Sequence, residues 1–461
     1  MKRFFLLLVT LMLCASLFLT GCGNAEAERE EELKDILESS SEKLQSNFSG
    51  SEGDYSLVSE YLKSWANSNE LTVTENAGHY IVISNPATEG CGKADSTTLQ
   101  CQISTKDFSN SLQALSTGMT ALLGPENHGD INLIVTENNN GRLIGAEKLP
   151  KKYLNCDHFI NLEYAEESTL YTGGCFVAEN LMTSDIVYEA PAYPNAYEIT
   201  IKTTNYSDPF NFDTRYPNPV EVLGNLLASE KSSGQLFQLV SFTCDSANGY
   251  NPQSAKAVVV IDDNDIKSFT SKFNSSYNKV KKKYENLEMN FVYTLTATDM
   301  PNMVIRDDIA DNIISLLYTL KTGIYTQDED SGEIIAASAI SSISTKDSTF
   351  KLKTVSRSLD KEALSEIKNV FKTTSGLCDI SFKAHDIKTT WKSDSKKITA
   401  SYFTEAIGAD SYVSDSILSG SECDIIYAKD NKANIISYRF DATHREPALL
   451  NILHFLNNLV E

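Results

Sequence analysis

The stretch Leu133–Ala146, LIVTENNNGRLIGA, runs from an apolar segment into one carboxylate, Glu137, then three asparagines and a glycine. A short aliphatic and β-branched run bounded by a polar turn reads as a buried strand. In many hydrolases such a strand ends in paired acids that face a metal or a water. Here a single acid is followed by Asn138, Asn139 and Asn140, which leaves a catalytic strand end, an impaired one and a simple turn all open.

The segments on either side give the fold class. LTVTE (71–75), YIVIS (80–84), TTLQCQIS (97–104) and HFINLEY (158–164) read as strands. YSLVSEYLKSWA (55–66) and residues 111–123 carry apolar residues at helical spacing. Alternating strand and helix predicts an α/β layer with a mixed, largely parallel sheet. From Tyr197 the texture changes to paired strands, such as YEITIKTT (197–204), FQLVSFTC (237–244) and AKAVVVID (255–262). A long amphipathic helix over 266–288 follows, with its apolar stripe assigned to core packing. A second set succeeds it: a helix over 307–320, strands at 334–343 and 349–357, and a helix from Lys361 to Thr373. This predicts an inserted α+β domain with an antiparallel sheet over 197–386. The α/β domain would be split into 53–196 and 387–461, ending on the apolar helix PALLNILHFLNNLVE (447–461).

At 461 residues the chain is long enough for two domains. A net charge of -22 argues against nucleic acid, since phosphate binding needs clustered Lys and Arg. The longest basic run, Lys281–Lys283, sits among acids and reads as a solvated helix face. Lys2 and Arg3 precede an apolar stretch, Phe4–Leu19, which is shorter than the ~20 residues of a spanning helix. The sequence LTGC (19–22) follows at once. A charged start, an apolar core and a small-residue site make an export signal over 1–21. LTGC resembles the bacterial lipobox, which makes Cys22 the lipidated first residue of an extracytoplasmic protein held at the cell membrane. Residues 22–52, acidic and Ser-rich, read as a tether running into a first helix. Seven further cysteines lie scattered without a CxxC pair and read as small buried hydrophobes. His79, His128, His158 and His385 read as satisfied surface histidines, and His454 as a core residue on an apolar helix face.

Several pieces, in order, resemble bacterial aminoacyl-histidine (Xaa-His) dipeptidases, co-catalytic zinc metallopeptidases related to carnosinases. They are EYLKSWA (60–66), SNPATEG (84–90), TTLQCQIS, INLIVTE (131–137), NLEYAEESTLYTGGC (161–175) and NPVEVLGNLLA (218–228). RSL (357–359), at the family's spacing from Trp391, and SGSEC (419–423) continue the series. The resemblance implies a zinc-peptidase-like catalytic domain interrupted by an inserted lid domain.

The resemblance also implies a site, position by position. The family's first ligand strand ends in His-x-Asp, where this chain has Gln102-Ile103-Ser104. The bridging aspartate falls near Ser111, and most of the family's connection between these two elements is missing. The Glu-Glu pair of general base and ligand is Glu137-Asn138, and the next ligand is matched by Glu163. The last histidine is approached by His444 in DATHREP (441–447). The lid's glycine-rich His motif aligns with YSDPFNFD (206–213), which has no histidine, and Leu418 stands for the histidine before the Glu-Cys pair. Arg357 and Glu422 remain as cleft residues. So many neutral positions imply a degenerate two-zinc site, with no cofactor expected. The preferred reading is a lipid-anchored pseudo-peptidase that binds a peptide or protein ligand or serves as a scaffold. An active Xaa-His dipeptidase with an altered zinc site, using Glu137, Glu163 and His444, is the alternative. A structural partner that assembles through the lid, for instance as a homodimer, is a further one.

Overall fold

The computed structural model describes residues 27–461 except 52, 106, 140–142, 167, 204–216, 246–251, 287–290, 330–331, 333, 388–390, 393–397, 407–411, 415–417, 419–420, 431 and 461. The signal over 1–21, Cys22 and YSDPFNFD therefore lie outside the described residues. The chain divides into two compact units. The first takes residues up to Gly173 with Trp391–Ser416 and Glu422–Glu461; the second takes Gly174–Thr390 and Ile417–Ser421.

The first unit opens with helix α1 (27–47), whose Leu33, Leu37 and Leu44 are buried in the core. The first helix expected after the tether is thus core-forming from residue 27 onward, because its leucines repeat on one helical face. Helix α2 (Tyr55–Ser68) follows, capped by the Asp54 carboxylate, which accepts from the Ser56 and Leu57 amides. Next come β1 (Thr72–Asn76), β2 (Tyr80–Asn85), β3 (Thr97–Ser104), α3 (Phe108–Leu122) and β4 (Ile131–Asn138). A short helix α4 (Ile144–Lys148), β5 (His158–Tyr164) and β6 (Thr169–Tyr171) complete this half. Helix α3 lies close on the sheet through Gly118. A Cβ there would come within 2.7 Å of the Cys101 Sγ and 3.1 Å of Leu133 Cδ1.

The second unit holds β7 (Phe176–Asp185), β8 (Tyr188–Glu189), β9 (Asn195–Lys202), α5 (Pro219–Ser232), β10 (Phe237–Asp245) and β11 (Ser254–Ile261). It continues with α6 (Ile266–Lys283), β12 (Val292–Ala297), β13 (Val304–Ile305), α7 (Asp307–Thr319) and β14 (Gly323–Gln327). β15 (Ile334–Ser344), β16 (Thr349–Ser358), α8 (Lys361–Leu377) and β17 (Ser381–Ile387) end it. Its large sheet runs β12-β9-β11-β10-β15-β16-β7-β17 with antiparallel neighbours, and β14 joins β15. The change of texture at Tyr197 marks β9, not the first strand of this unit. β7, placed with the α/β domain by its position in sequence, pairs instead with β16 and β17.

The chain then returns to the first unit as α9 (Ile398–Ala406), β18 (Tyr412–Ser414), α10 (Glu422–Lys429), β19 (Ile435–Phe440) and α11 (Arg445–Asn458). The first sheet has the order β1-β2-β4-β3-β5-β19-β6-β18. Its four central strands β4, β3, β5 and β19 are mutually parallel, while β1, β2 and β6 pair antiparallel with their inner neighbours. The fold is therefore α/β with a mixed sheet, joined to an α+β unit with an antiparallel one.

Candidate functional site

Successive residues of a strand face opposite sides of its sheet. On one side of the first sheet, Leu99, Cys101, Ile103, Leu133, Val135, Ile160, Leu162, Ile436 and Tyr438 enter the apolar core. The alternate positions of the same strands carry Gln100, Gln102, Ser104, Thr136, Asn138, Asn161, Glu163, Ser437 and Arg439. The register sets Gln102 beside Thr136, Ile103 beside Glu137, and Ser104 beside Asn138. Glu137 and Asn138, neighbours in sequence, thus belong to opposite faces.

The amide and hydroxyl positions come together. Asn138 Nδ2 donates to Gln102 Oε1 at 2.9 Å. Ser111 Oγ, on α3, accepts from the Ser104 amide at 2.9 Å and donates to the Asp107 carbonyl at 2.8 Å. Ser104 Oγ in turn accepts from the Asp107 amide at 3.2 Å, so the end of β3 and the start of α3 are held to each other. Glu163 is separate from them. Its Oε2 lies 2.7 Å from Nη2 of Arg439, its register partner on β19, and that guanidinium sits 5.0 Å from the centre of the Tyr171 ring.

Glu137 pairs with a residue that the sequence left as an isolated surface histidine. His79 Nδ1 is 2.6 Å from Glu137 Oε2, and the His79 carbonyl accepts from the Glu137 amide at 2.9 Å. Gly145 of α4 seals this strand end. A Cβ there would fall 2.4 Å from the Glu137 nitrogen and 2.5 Å from the His79 oxygen, both of them backbone atoms. No heavier residue fits without moving the strand.

Beneath α10 the polar face closes into a buried network. Ser437 Oγ donates to Asn161 Oδ1 at 2.9 Å, and Asn161 Nδ2 donates to Gln100 Oε1 at 2.6 Å. That fixes the Gln100 amide, whose Nε2 donates to Thr136 Oγ1 at 3.0 Å and to Glu422 Oε2. Thr136 Oγ1 also lies 2.7 Å from Glu422 Oε2. Glu422, only 1% exposed, has no cation within ion-pair range among the described residues, and burial pushes its carboxyl up to about 8. Lys429, at the other end of α10, donates to the carbonyls of Ala146, Glu147 and Leu149 at 2.6–2.7 Å. It binds α10 to the end of α4.

The remaining candidates serve local structure. His444 Nδ1 lies 2.9 Å from both Asp441 carboxylate oxygens, in the turn that starts α11. Arg357, in the second unit, is buried and donates through Nη1 to the Leu418 carbonyl at 3.2 Å. Three histidine expectations are corrected. His128 and His158 are buried, His128 on the Gly129 carbonyl and His158 between Thr399 and Asp95. His454 is exposed and pairs with Glu30 at 2.6 Å. It lies on the α11 face reached by α1, whose acidic start supplies the carboxylate. All seven described cysteines are free thiols, with Cys91, Cys156 and Cys244 only partly buried.

A zinc centre takes thiolate, imidazole and carboxylate donors. The Gln102 oxygen is taken by the Asn138 amide nitrogen, Ser104 and Ser111 hold a helix start, and Glu163 is paired with a guanidinium. Among the described residues no three His, Cys, Asp or Glu side chains gather as a metal-binding group. The residues at these positions do not fit a two-zinc site. Sequence reasoning missed Arg439; the available signal was a lone arginine in the apolar strand IISYRF (435–440).

No protein-family model matches the chain, and no curated protein sequence matches it. Among solved structures the aminoacylhistidine dipeptidase of Vibrio alginolyticus superposes with a TM-score of 0.54 at 18% identity, covering 88% of this chain and 92% of that one. A tripeptidase of Staphylococcus aureus gives 0.46 at 13% identity, covering 94% and 98%. An aminopeptidase of Bacillus cereus gives 0.45 at 10%, covering 91% and 99%. Only the first likeness is strong enough to bear on the fold, and at that identity it bears on nothing else. The chain has the fold of an aminoacylhistidine dipeptidase.

Proposed function

We propose that this chain is a pseudo-peptidase: a protein with a dipeptidase fold, tethered outside the cytoplasm by lipid on Cys22, that binds a peptide or protein or acts as a scaffold. The observation that carries the loss of catalysis is the Asn138–Gln102 amide pair at two positions where the resemblance implies ligands. The Arg439–Glu163 pair supports it, because a guanidinium already neutralises the one carboxylate at a third such position. Two zinc ions bring four positive charges, and uncompensated charge held out of water costs several kcal/mol per ion. A glutamate base such as Glu137 activates water usefully only beside a metal that lowers the water's pKa. Glu137 is instead held by His79 on the other face of its strand.

The test is elemental analysis after dialysis, paired with a hydrolysis assay on Ala-His and carnosine. The expected result is no stoichiometric zinc and no turnover. About two equivalents of retained zinc, or turnover that Glu137→Gln abolishes, overturns the reading in favour of an unorthodox dipeptidase.

The tether rests on LTGC directly after the apolar stretch. Among the described residues no helix is long and apolar enough to cross a membrane. Acyl chains on one cysteine suffice for stable anchoring, since each buried CH₂ contributes ~0.8 kcal/mol. Cys22→Ala is expected to lose both the lipid mass and membrane fractionation. An unchanged mass and distribution would sink this part alone.

A further inference from the structure

Helix α6 departs from the rest of this acidic chain. Its 18 residues include Lys267, Lys272, Lys279, Lys281, Lys282 and Lys283 and no acidic residue. Phe269 and Phe273 turn one face into the core of the second unit. At ~100° per residue Lys267, Lys279, Lys281 and Lys282 fall on the opposite half of the helix, separated only by Ser and Asn, with Lys272 and Lys283 at its edge. Lys267, Lys279, Lys281, Lys282 and Lys283 are exposed. Among the described residues no carboxylate forms an ion pair with any of the six, although Lys231 and Lys256 nearby both have one. Carboxylates of α5 act on two of the six at longer range, Glu230 on Lys272 and Glu221 on Lys283.

We propose that the lysine face of α6 is a docking surface for a bilayer carrying anionic phospholipid headgroups. Charge complementarity supplies the first argument. A row of ammonium groups along ~27 Å of helix presents a local positive strip. The overall charge of -22 is felt weakly beyond a screening length of ~8 Å at physiological salt. Residue type supplies the second. All six cations are lysine, a hydrated point charge suited to a diffuse array of headgroups, and none is the bidentate arginine that reads nucleic-acid phosphates and bases. Aromatic rings supply the third. Tyr277 and Tyr284, both half-buried, lie beneath Lys281 at 5.9 Å and Lys283 at 5.1 Å, and tyrosine favours the interface between headgroups and water. The choice of a membrane over other polyanions draws on the tether reading; the surface itself does not.

The full chain is reconstituted with vesicles of phosphatidylcholine alone, or of phosphatidylcholine with phosphatidylglycerol, and its lysines are acetylated by an uncharged reagent. The readout is acetylation at Lys279, Lys281 and Lys282 divided by that at Lys43, Lys93 and Lys148, exposed lysines of the first unit, in the same molecules. Each basic residue near an anionic surface contributes roughly fivefold to binding, about 100-fold for three together, so the ratio is expected to fall by at least about tenfold with phosphatidylglycerol. High salt should restore it. The triple variant Lys279→Glu, Lys281→Glu, Lys282→Glu should return acetylation of Lys267 and Lys283 to its level on phosphatidylcholine. The same reversal at Lys43, Lys93 and Lys148 should leave α6 protected. An equal ratio on both vesicles overturns the proposal. So does equal protection on both, which would mean a second protein copy, or equal protection by a duplex oligonucleotide. Failure of the tether shows separately, as a chain that does not float with phosphatidylcholine vesicles.

Discussion

Arg439→Met lowers the free energy of unfolding by about 2–4 kcal/mol at pH 7, a loss measured by denaturant titration. Arg439 and Glu163 are register partners on β19 and β5, bonded at 2.7 Å, with side chains 22% and 12% exposed. The guanidinium is stacked on Tyr171 and shielded on that side as well. Removing it strands a carboxylate that water barely reaches. A fully buried pair broken from one side loses about 3–5 kcal/mol, and partial exposure scales this down. The double variant Glu163→Leu, Arg439→Met should recover to within about 1 kcal/mol of the wild type, because replacing both charges leaves none uncompensated. An exposed pair of ordinary surface character would instead give each single variant less than about 1 kcal/mol.

The same cycle bears on the site. If Glu163 were a metal ligand, added zinc would stabilise the wild type and not Glu163→Leu, by mass action on the folded state. The expectation here is no zinc-dependent difference, because the guanidinium already supplies the positive charge that a carboxylate at this position requires.

How much of this was readable beforehand depends on the distance over which each feature is determined. The strand LIVTEN was legible because a run of aliphatic and β-branched residues is a local signal, and so was α3, found at Phe108–Leu122 against an expected 111–123. The insertion was legible as a change of texture, but its first strand was not. β7 owes its place to β16, which lies more than 160 residues away in sequence. The expected ligand positions were legible only as residue types. That Asn138 bonds Gln102 follows from the parallel register of β3 and β4, and that Glu137 turns to His79 follows from the strand's two-residue period. Arg439 became visible only once β19 was seen beside β5. Lys281–Lys283 read as a solvated helix face, and all three are exposed at the end of α6. Glu422 is the sharpest case, since nothing in SGSEC distinguishes a carboxyl on the surface from one sealed under a helix.

Glu422→Gln should therefore stabilise the protein at alkaline pH and change little in acid. Burial is the main cause of the raised pKa, reinforced by the Glu163 carboxylate from β5; the bond from Thr136 and the Lys429 ammonium oppose it. Hydrogen-bond geometry points the same way without reference to titration. The single Thr136 proton can go to the Cys101 carbonyl, at 3.2 Å, or to Glu422. Both bonds form together only when the Glu422 carboxyl carries the second proton, and a glutamine amide at 422 supplies it permanently. Below about pH 4.5 the folded and unfolded chains both hold this proton, and the acid has no ionisation penalty. Between there and about 8 only the folded chain holds it, so stability falls as pH rises. Above about 8 the full penalty remains, on the order of 3–5 kcal/mol. Denaturant titrations of wild type and variant should coincide near pH 4.5 and separate by about that amount at pH 9, with the variant the more stable. A variant less stable than the wild type at every pH would mean that the network is built around a carboxylate anion, with Gln100 and Thr136 as its donors.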